Sequence, residues 1–141
     1  MNDNLQKESV VSVFNQTANI AVYNNGEKSL FFKGDDKFES ILNSLYAITN
    51  DSNDMPALGV ALNSEVVNAK QQGVWIELVF DSEKSFNDMP FECLLFEVNP
   101  KNSGFNLIRK TNGKYDGRCF YLSLQNDMKL LSKTLTKLLN Q

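Results

Sequence analysis

Three patterns in the sequence predict an α+β fold: a mainly antiparallel sheet of six or seven strands, with two longer helices packed on one of its faces. Residues 74–80 alternate strictly, with Val74, Ile76, Leu78 and Phe80 on one side and Trp75, Glu77 and Val79 on the other. Phe38, Ile41, Leu42, Leu45 and Ile48 recur at helical spacing, as do Met128, Leu131, Leu135 and Leu138. The rest of the chain offers short β-branched or aromatic runs punctuated by Asn-Gly and Asp-Gly, the dipeptides of tight hairpin turns.

Taken in order, residues 1–8 are polar with both charge signs and predict a frayed start. Residues 10–14 and 20–23 read as strands, and Asn25-Gly26 turns the second into a third at 29–33, a small meander. A helix follows at 36–49, opened by Asp36 with Glu39 three residues on. Residues 50–54 form a polar loop. Their side-chain oxygens suggest calcium, but Met55 and Pro56 stand where further ligands and the sharp glycine turn belong. Asn53-Asp54-Met55-Pro56 recurs as Asn87-Asp88-Met89-Pro90, each copy leading into an apolar run, and both are expected to be turns followed by strands. Ser64, Glu65 and Gly73 delimit a short helix over 64–72.

Residues 91–98 are apolar at both parities, Leu94, Phe96 and Val98 against Phe91, Cys93 and Leu95, which predicts a strand buried on both faces. Residues 105–111 and 118–124 make a hairpin. A tight turn at Asn112-Gly113 sets Phe105 opposite Phe120, Leu107 opposite Arg118 and Arg109 opposite Asp116, and keeps Leu122 and Leu124 on the apolar side. Asp127 then caps a last helix over 127–140 with Lys129, Lys133 and Lys137 off its apolar stripe.

At 141 residues the chain is expected to form one domain. It has no apolar stretch near the roughly 20 residues that span a bilayer, and residues 1–8 lack a signal-peptide pattern, so a cytoplasmic protein without membrane contact is expected. The bias toward Asn and Lys over Arg suggests an AT-rich bacterial source. Cys93 and Cys119 are expected to be free thiols. A net charge of −3 disfavours nucleic acid as a partner, because non-specific affinity for phosphates rests on clustered Lys and Arg. Histidine is absent, which removes the commonest metal ligand and the usual general base near neutral pH. With two cysteines and no histidine, no bound metal or cofactor is expected.

Candidate chemistry is correspondingly sparse. Cys119 follows Arg118 but has no base to activate it. The pairs Asp35/Asp36 and Glu92/Glu97 could share acid/base work, yet helix capping and strand ends account for them. Phe32-Lys33-Gly34-Asp35 lacks the glycines of a phosphate loop. Arg109, Lys110, Lys114 and Arg118 are the one basic concentration, a solvated hairpin or an anion contact. The second sheet face is the remaining candidate. Trp75, Val79, Ile108 and Tyr121 fall on it, too apolar together to lie in water, so either the chain's own meander or short helix covers them or they form an interaction surface. The reading preferred is a non-enzymatic protein-interaction or self-association module, a homodimer or a partner-docking domain. The alternative is a small enzyme or ligand sensor using carboxylates and the Arg118 region.

Overall fold

A computed structural model describes residues 8–140; the frayed start expected at 1–8 lies, but for Glu8, outside the described residues. Seven strands form one antiparallel sheet: β1 Thr17–Asn24, β2 Glu27–Phe32, β3 Asn53–Ala61, β4 Val74–Phe86, β5 Met89–Glu97, β6 Gly104–Lys110 and β7 Gly117–Ser123. Their order across the sheet is β2-β1-β4-β5-β6-β7-β3. Helices α1 (Asp36–Thr49) and α3 (Lys129–Leu139) lie together on one face, their contact including a 2.7 Å hydrogen bond between the Ser44 and Thr134 hydroxyls. Helix α2 (Asn63–Ala69) lies on the other face. Among the described residues no helix is long and apolar enough to cross a membrane.

The alternation of 74–80 does what the pattern requires. Ile76, Leu78 and Phe80, with half-buried Val74, join Phe105, Leu107, Phe120, Leu122 and Leu124 in one core beneath Ile41, Leu45, Leu131 and Leu135. Asn25-Gly26 and Asn112-Gly113 turn with both residues at positive φ, the geometry that matches strand twist. Asp127 Oδ1 accepts the Lys129 N–H at 3.0 Å at the start of α3.

Several expectations are corrected. Residues 10–14 are not a strand but part of a 3₁₀ helix, Val10–Gln16. Val10, Val13 and Phe14 are buried at helical spacing, Ser9 Oγ accepts the Val11 N–H, and the Asp54 carboxylate accepts the Val10 N–H at 2.8 Å. That tertiary anchor outweighs the β-branched propensity. The repeated tetrapeptide folds two ways. Asn87 and Asp88, both at positive φ, are the turn between β4 and β5, whereas Asn53 and Asp54 are strand residues paired with Ser123 and Leu122 of β7. Pro56 is tolerated there because β3 is an edge strand.

The β6–β7 register differs by two residues from the tight one: Phe105 faces Leu122 and Leu107 faces Phe120. The Asn112-Gly113 turn still forms, closed by Thr111 and Lys114, but Tyr115 and Asp116 then leave the ladder; Gly117, at φ +103°, opens β7 against Ala61 of β3, and pairing with β6 begins at Phe120. A two-residue slip preserves parity, so the apolar set keeps its face. Arg109 accordingly does not face Asp116. On β5, Phe91 joins the main core instead of sharing the face of Cys93 and Leu95, because the β4–β5 register breaks between Val79 and Lys84.

Candidate functional site

Alternation along β4 forces Glu77 onto the second face of the sheet, at its centre, between Ala21 of β1 and Leu95 of β5. It is 3 % exposed. A carboxylate taken that far from water must find hydrogen bonds, and the small side chain of Ala21 leaves room for them. Tyr115 supplies the first: ejected from the β6–β7 ladder, it is 2 % exposed and its hydroxyl donates a short bond to Glu77 Oε2. The Tyr23 hydroxyl donates to Oε1 at 3.4 Å.

Lys70, the C-cap of α2, closes the cluster. Its Nζ donates to the Tyr115 hydroxyl at 2.9 Å and stands 4.4 Å from the Tyr23 ring centroid and 4.7 Å from that of Tyr115. Lys110 Nζ approaches the Tyr115 ring at 5.2 Å. Among the described residues Glu77 makes no direct ion pair, so its charge is met by two phenols and by three cations, Lys28, Lys70 and Lys110, held over the rings of those phenols. Around this polar centre Val66, Trp75, Leu95 and Tyr115 form a satellite core, with Ala61, Ile108 and Tyr23 at its margin.

The same chain of bonds fastens α2, whose one buried apolar side chain is Val66. Asn63 Oδ1 accepts the Tyr115 N–H at 2.8 Å and Asp116 Oδ1 accepts the Asn63 N–H at 2.9 Å. At the far end of α2 the Asn25 N–H donates to Gly73 O at 2.8 Å, and Asn25 Oδ1 accepts the Gly73 N–H. The β1–β2 turn therefore clasps the chain where it enters β4.

Burial first, then the charge of Glu77, pushes the Tyr23 phenol up to about 12 and the Tyr115 phenol higher. The same causes push the Cys93 thiol up to about 12; burial also raises Cys119, against the opposing pull of Arg109. Burial lowers Lys70, with Glu77 opposing and Lys110 and Lys28 assisting. Near neutral pH the phenols and thiols are thus held in their protonated, unreactive forms. In the folded chain Cys93 and Tyr23 keep protons that the unfolded chain releases near 9.0 and 10.0. Stability is expected to be full below about pH 9 and to fall as pH rises toward 12, since there the native state binds more protons. Urea midpoints that stay level from pH 9 to 12 would contradict the cluster as described.

Trp75 lies on the face opposite α1 and α3, as parity demands, but it is 8 % exposed beneath α2, with its indole N–H donating to Gln72 O at 2.9 Å. It is therefore no free anchor for a partner, and the covering element is the short helix. Ile108 and Tyr121, both half-buried, line with Trp75 and Asn106 an open trough of about 450 Å³. A second depression of about 250 Å³, bordered by Val60, Leu62 and Val66, shares Trp75, Asn106 and Ile108 with it. Val79, half-buried, is further along the same face, paired with Cys93 and Asn19.

The four basic residues do not converge. Arg109 donates from Nε to Arg118 O and from Nη1 to Pro90 O, each at 2.7 Å. Arg109 and Arg118 line a broad depression of about 910 Å³ that also holds Asp54 and Asp88. Lys110 points to the other face, at Tyr115, and Lys114 is exposed at the hairpin end. Sequence reasoning missed Glu77, Tyr115, Tyr23 and Lys70 as one cluster. The available signal was Glu77 itself, a lone carboxylate between Trp75 and Val79 on an otherwise apolar parity.

The chain matches no protein-family model, no curated protein and no solved structure. Its function is read from these surfaces alone.

Proposed function

We propose that the chain is a non-enzymatic protein-interaction module of the cytoplasm, working through the part of the second sheet face that α2 leaves open. The observation that carries this reading is the trough over Trp75, Asn106, Ile108 and Tyr121, an open surface of mixed polarity joined to a second depression beside α2. Partner surfaces of this kind combine an apolar, aromatic floor with a polar rim, here Glu97, Asn102 and Ser103. The convergent polar cluster at Glu77 is instead filled by the chain's own phenols, which leaves a substrate no place beside the carboxylate. The alternative, a ligand sensor at the Arg118 region, has the 910 Å³ depression in its favour. Its weakness is that Arg109 is spent on two carbonyls and that Asp54 and Asp88 face the same space.

A photo-crosslinking side chain placed at exposed Ser103 tests the reading in the source cell. A discrete protein adduct is expected, and it should vanish when exposed Asn106 is changed to Arg, which fills the trough without touching the core. No adduct, or one indifferent to Asn106→Arg, would overturn it.

A further inference from the structure

The two free edges of the sheet differ. β3 is unsuitable for pairing: it carries Pro56, its register against β7 breaks between Pro56 and Val60, and Gly59 sits within the break at φ +80°. Such devices keep an edge from recruiting another strand. β2 has none of them. It contains no proline, its six residues pair with β1 without a break, and among the described residues nothing pairs with its outer side. It also carries Leu30 at 48 % and Phe32 at 54 % exposure, both on the second face, where Phe32 continues through Asn19 to half-buried Val79.

We propose that two copies of the chain join through the outer edge of β2, running antiparallel across a twofold axis at Leu30 so that the seven-stranded sheet continues into its partner. The proposal rests on the reading of the chain as an association module and names a second copy as one occupant. Backbone parity carries it first. The Lys33 N–H donates to Ala18 O, in register with the Phe31–Ile20 pair, so Ser29 and Phe31 turn their polar backbone groups toward β1. Lys28, Leu30 and Phe32 therefore turn theirs outward; at Phe32 both groups are met by Asp35, its Oδ2 accepting the Phe32 N–H loosely at 3.4 Å and its N–H donating to one lone pair of Phe32 O at 3.0 Å, while those of Lys28 and Leu30 have no partner among the described residues. With Leu30 on the axis, these outward residues meet one another: Leu30 its own copy, and Lys28 the partner's Phe32.

Charge selects that register. With the axis on Leu30, Glu27 stands opposite the partner's Lys33, and the pair occurs twice by symmetry. Moving the axis to Ser29 sets Glu27 against the partner's Phe31, and moving it to Phe31 sets Lys33 against the partner's Ser29. Neither shift forms an ion pair. Strand addition of this kind draws its affinity from the backbone bonds and its register from the side chains.

Sedimentation equilibrium at low salt tests it. The unaltered chain is expected to dimerise reversibly below about 1 mM, and in the dimer the Lys28 and Leu30 amides should exchange more slowly with solvent than in the dilute monomer. Leu30→Lys, at an exposed position, should weaken the dimer about tenfold or more, with the circular dichroism of the monomer unchanged. Glu27→Lys should weaken it by a smaller factor that shrinks with added salt, and Glu27→Lys combined with Lys33→Glu should restore it. A chain monomeric at about 1 mM, or a dimer indifferent to both Leu30→Lys and Glu27→Lys, would overturn the proposal. A dimer abolished by Asn106→Arg would place self-association in the trough, overturning the edge contact while leaving the broader reading intact. A β2 dimer whose trough yields no crosslinked partner would do the reverse.

Discussion

Phe91→Ala is expected to lower the free energy of unfolding by about 3 to 5 kcal/mol. Phe91 is fully buried where β4, β5 and β7 meet, with its ring edge-on to Phe80 at 5.4 Å and to Phe120 at 5.8 Å. Phe86 stacks edge-on to Phe120 in turn, at 5.6 Å. Each ring in this chain touches another at geometry that adds to simple area burial, so removing the middle one opens a void and breaks two aromatic contacts. The backbone around it is strand, paired with Lys84 of β4, and in a close-packed interior has little freedom to collapse inward. Denaturant melts check the value. A change below about 1 kcal/mol would mean that Phe91 faces the space assigned to Cys93 and Leu95.

Tyr115→Phe should cost about 1.5 to 3 kcal/mol, the scale of a hydrogen bond to a buried charge. The ring's packing against Trp75, Leu95 and Val66 is retained, so the loss isolates the hydroxyl. Glu77 would keep only the longer bond from Tyr23, and Lys70 Nζ would lose its acceptor. A buried carboxylate stripped of a partner is worse than no carboxylate. Adding Glu77→Leu to Tyr115→Phe is therefore expected to recover part of the loss, giving a double variant more stable than Tyr115→Phe alone. Urea melts of the single and double variants decide it. Strict additivity of two destabilising changes would show that the hydroxyl and the carboxylate act independently.

The elements with a strong period are legible in the sequence. Helix α1 runs over the residues its apolar spacing marks, and the alternation of 74–80 assigns Ile76, Leu78 and Phe80 to the core without error. Residues 10–14 are ambiguous in the sequence because Val10, Val13 and Phe14 satisfy a helical spacing as well as a β-rich composition, and the Asp54 carboxylate that decides between them is 44 residues away from Val10. The hairpin register departs from the local pattern for the same reason. Local turn chemistry favours a tight Asn112-Gly113 closure, which does form, but the pull of Glu77 on Tyr115 across the sheet removes two residues from the ladder. The polar cluster was illegible as a unit because Tyr23, Lys70, Glu77 and Tyr115 come from four separate segments. Parity placed Trp75 on the second face but could not say that α2 would cover it.

The position of β3 sets translation order against sheet order. It follows α1 directly, yet its partner in the sheet is β7, Gly117–Ser123. Between Ala61 and Gly117 a ribosome adds about 56 residues, roughly 3 to 11 s at about 5 to 20 residues per second. For that interval the nascent chain carries a strand with nothing to pair to, including Met55 and Val60, which stay exposed even after folding. The β1–β2 and β4–β5 hairpins close among near neighbours and can assemble with α1 as they emerge. β3 is then docked by β7 reaching back to it, and the polypeptide most needs a chaperone while residues 62–117 are being made.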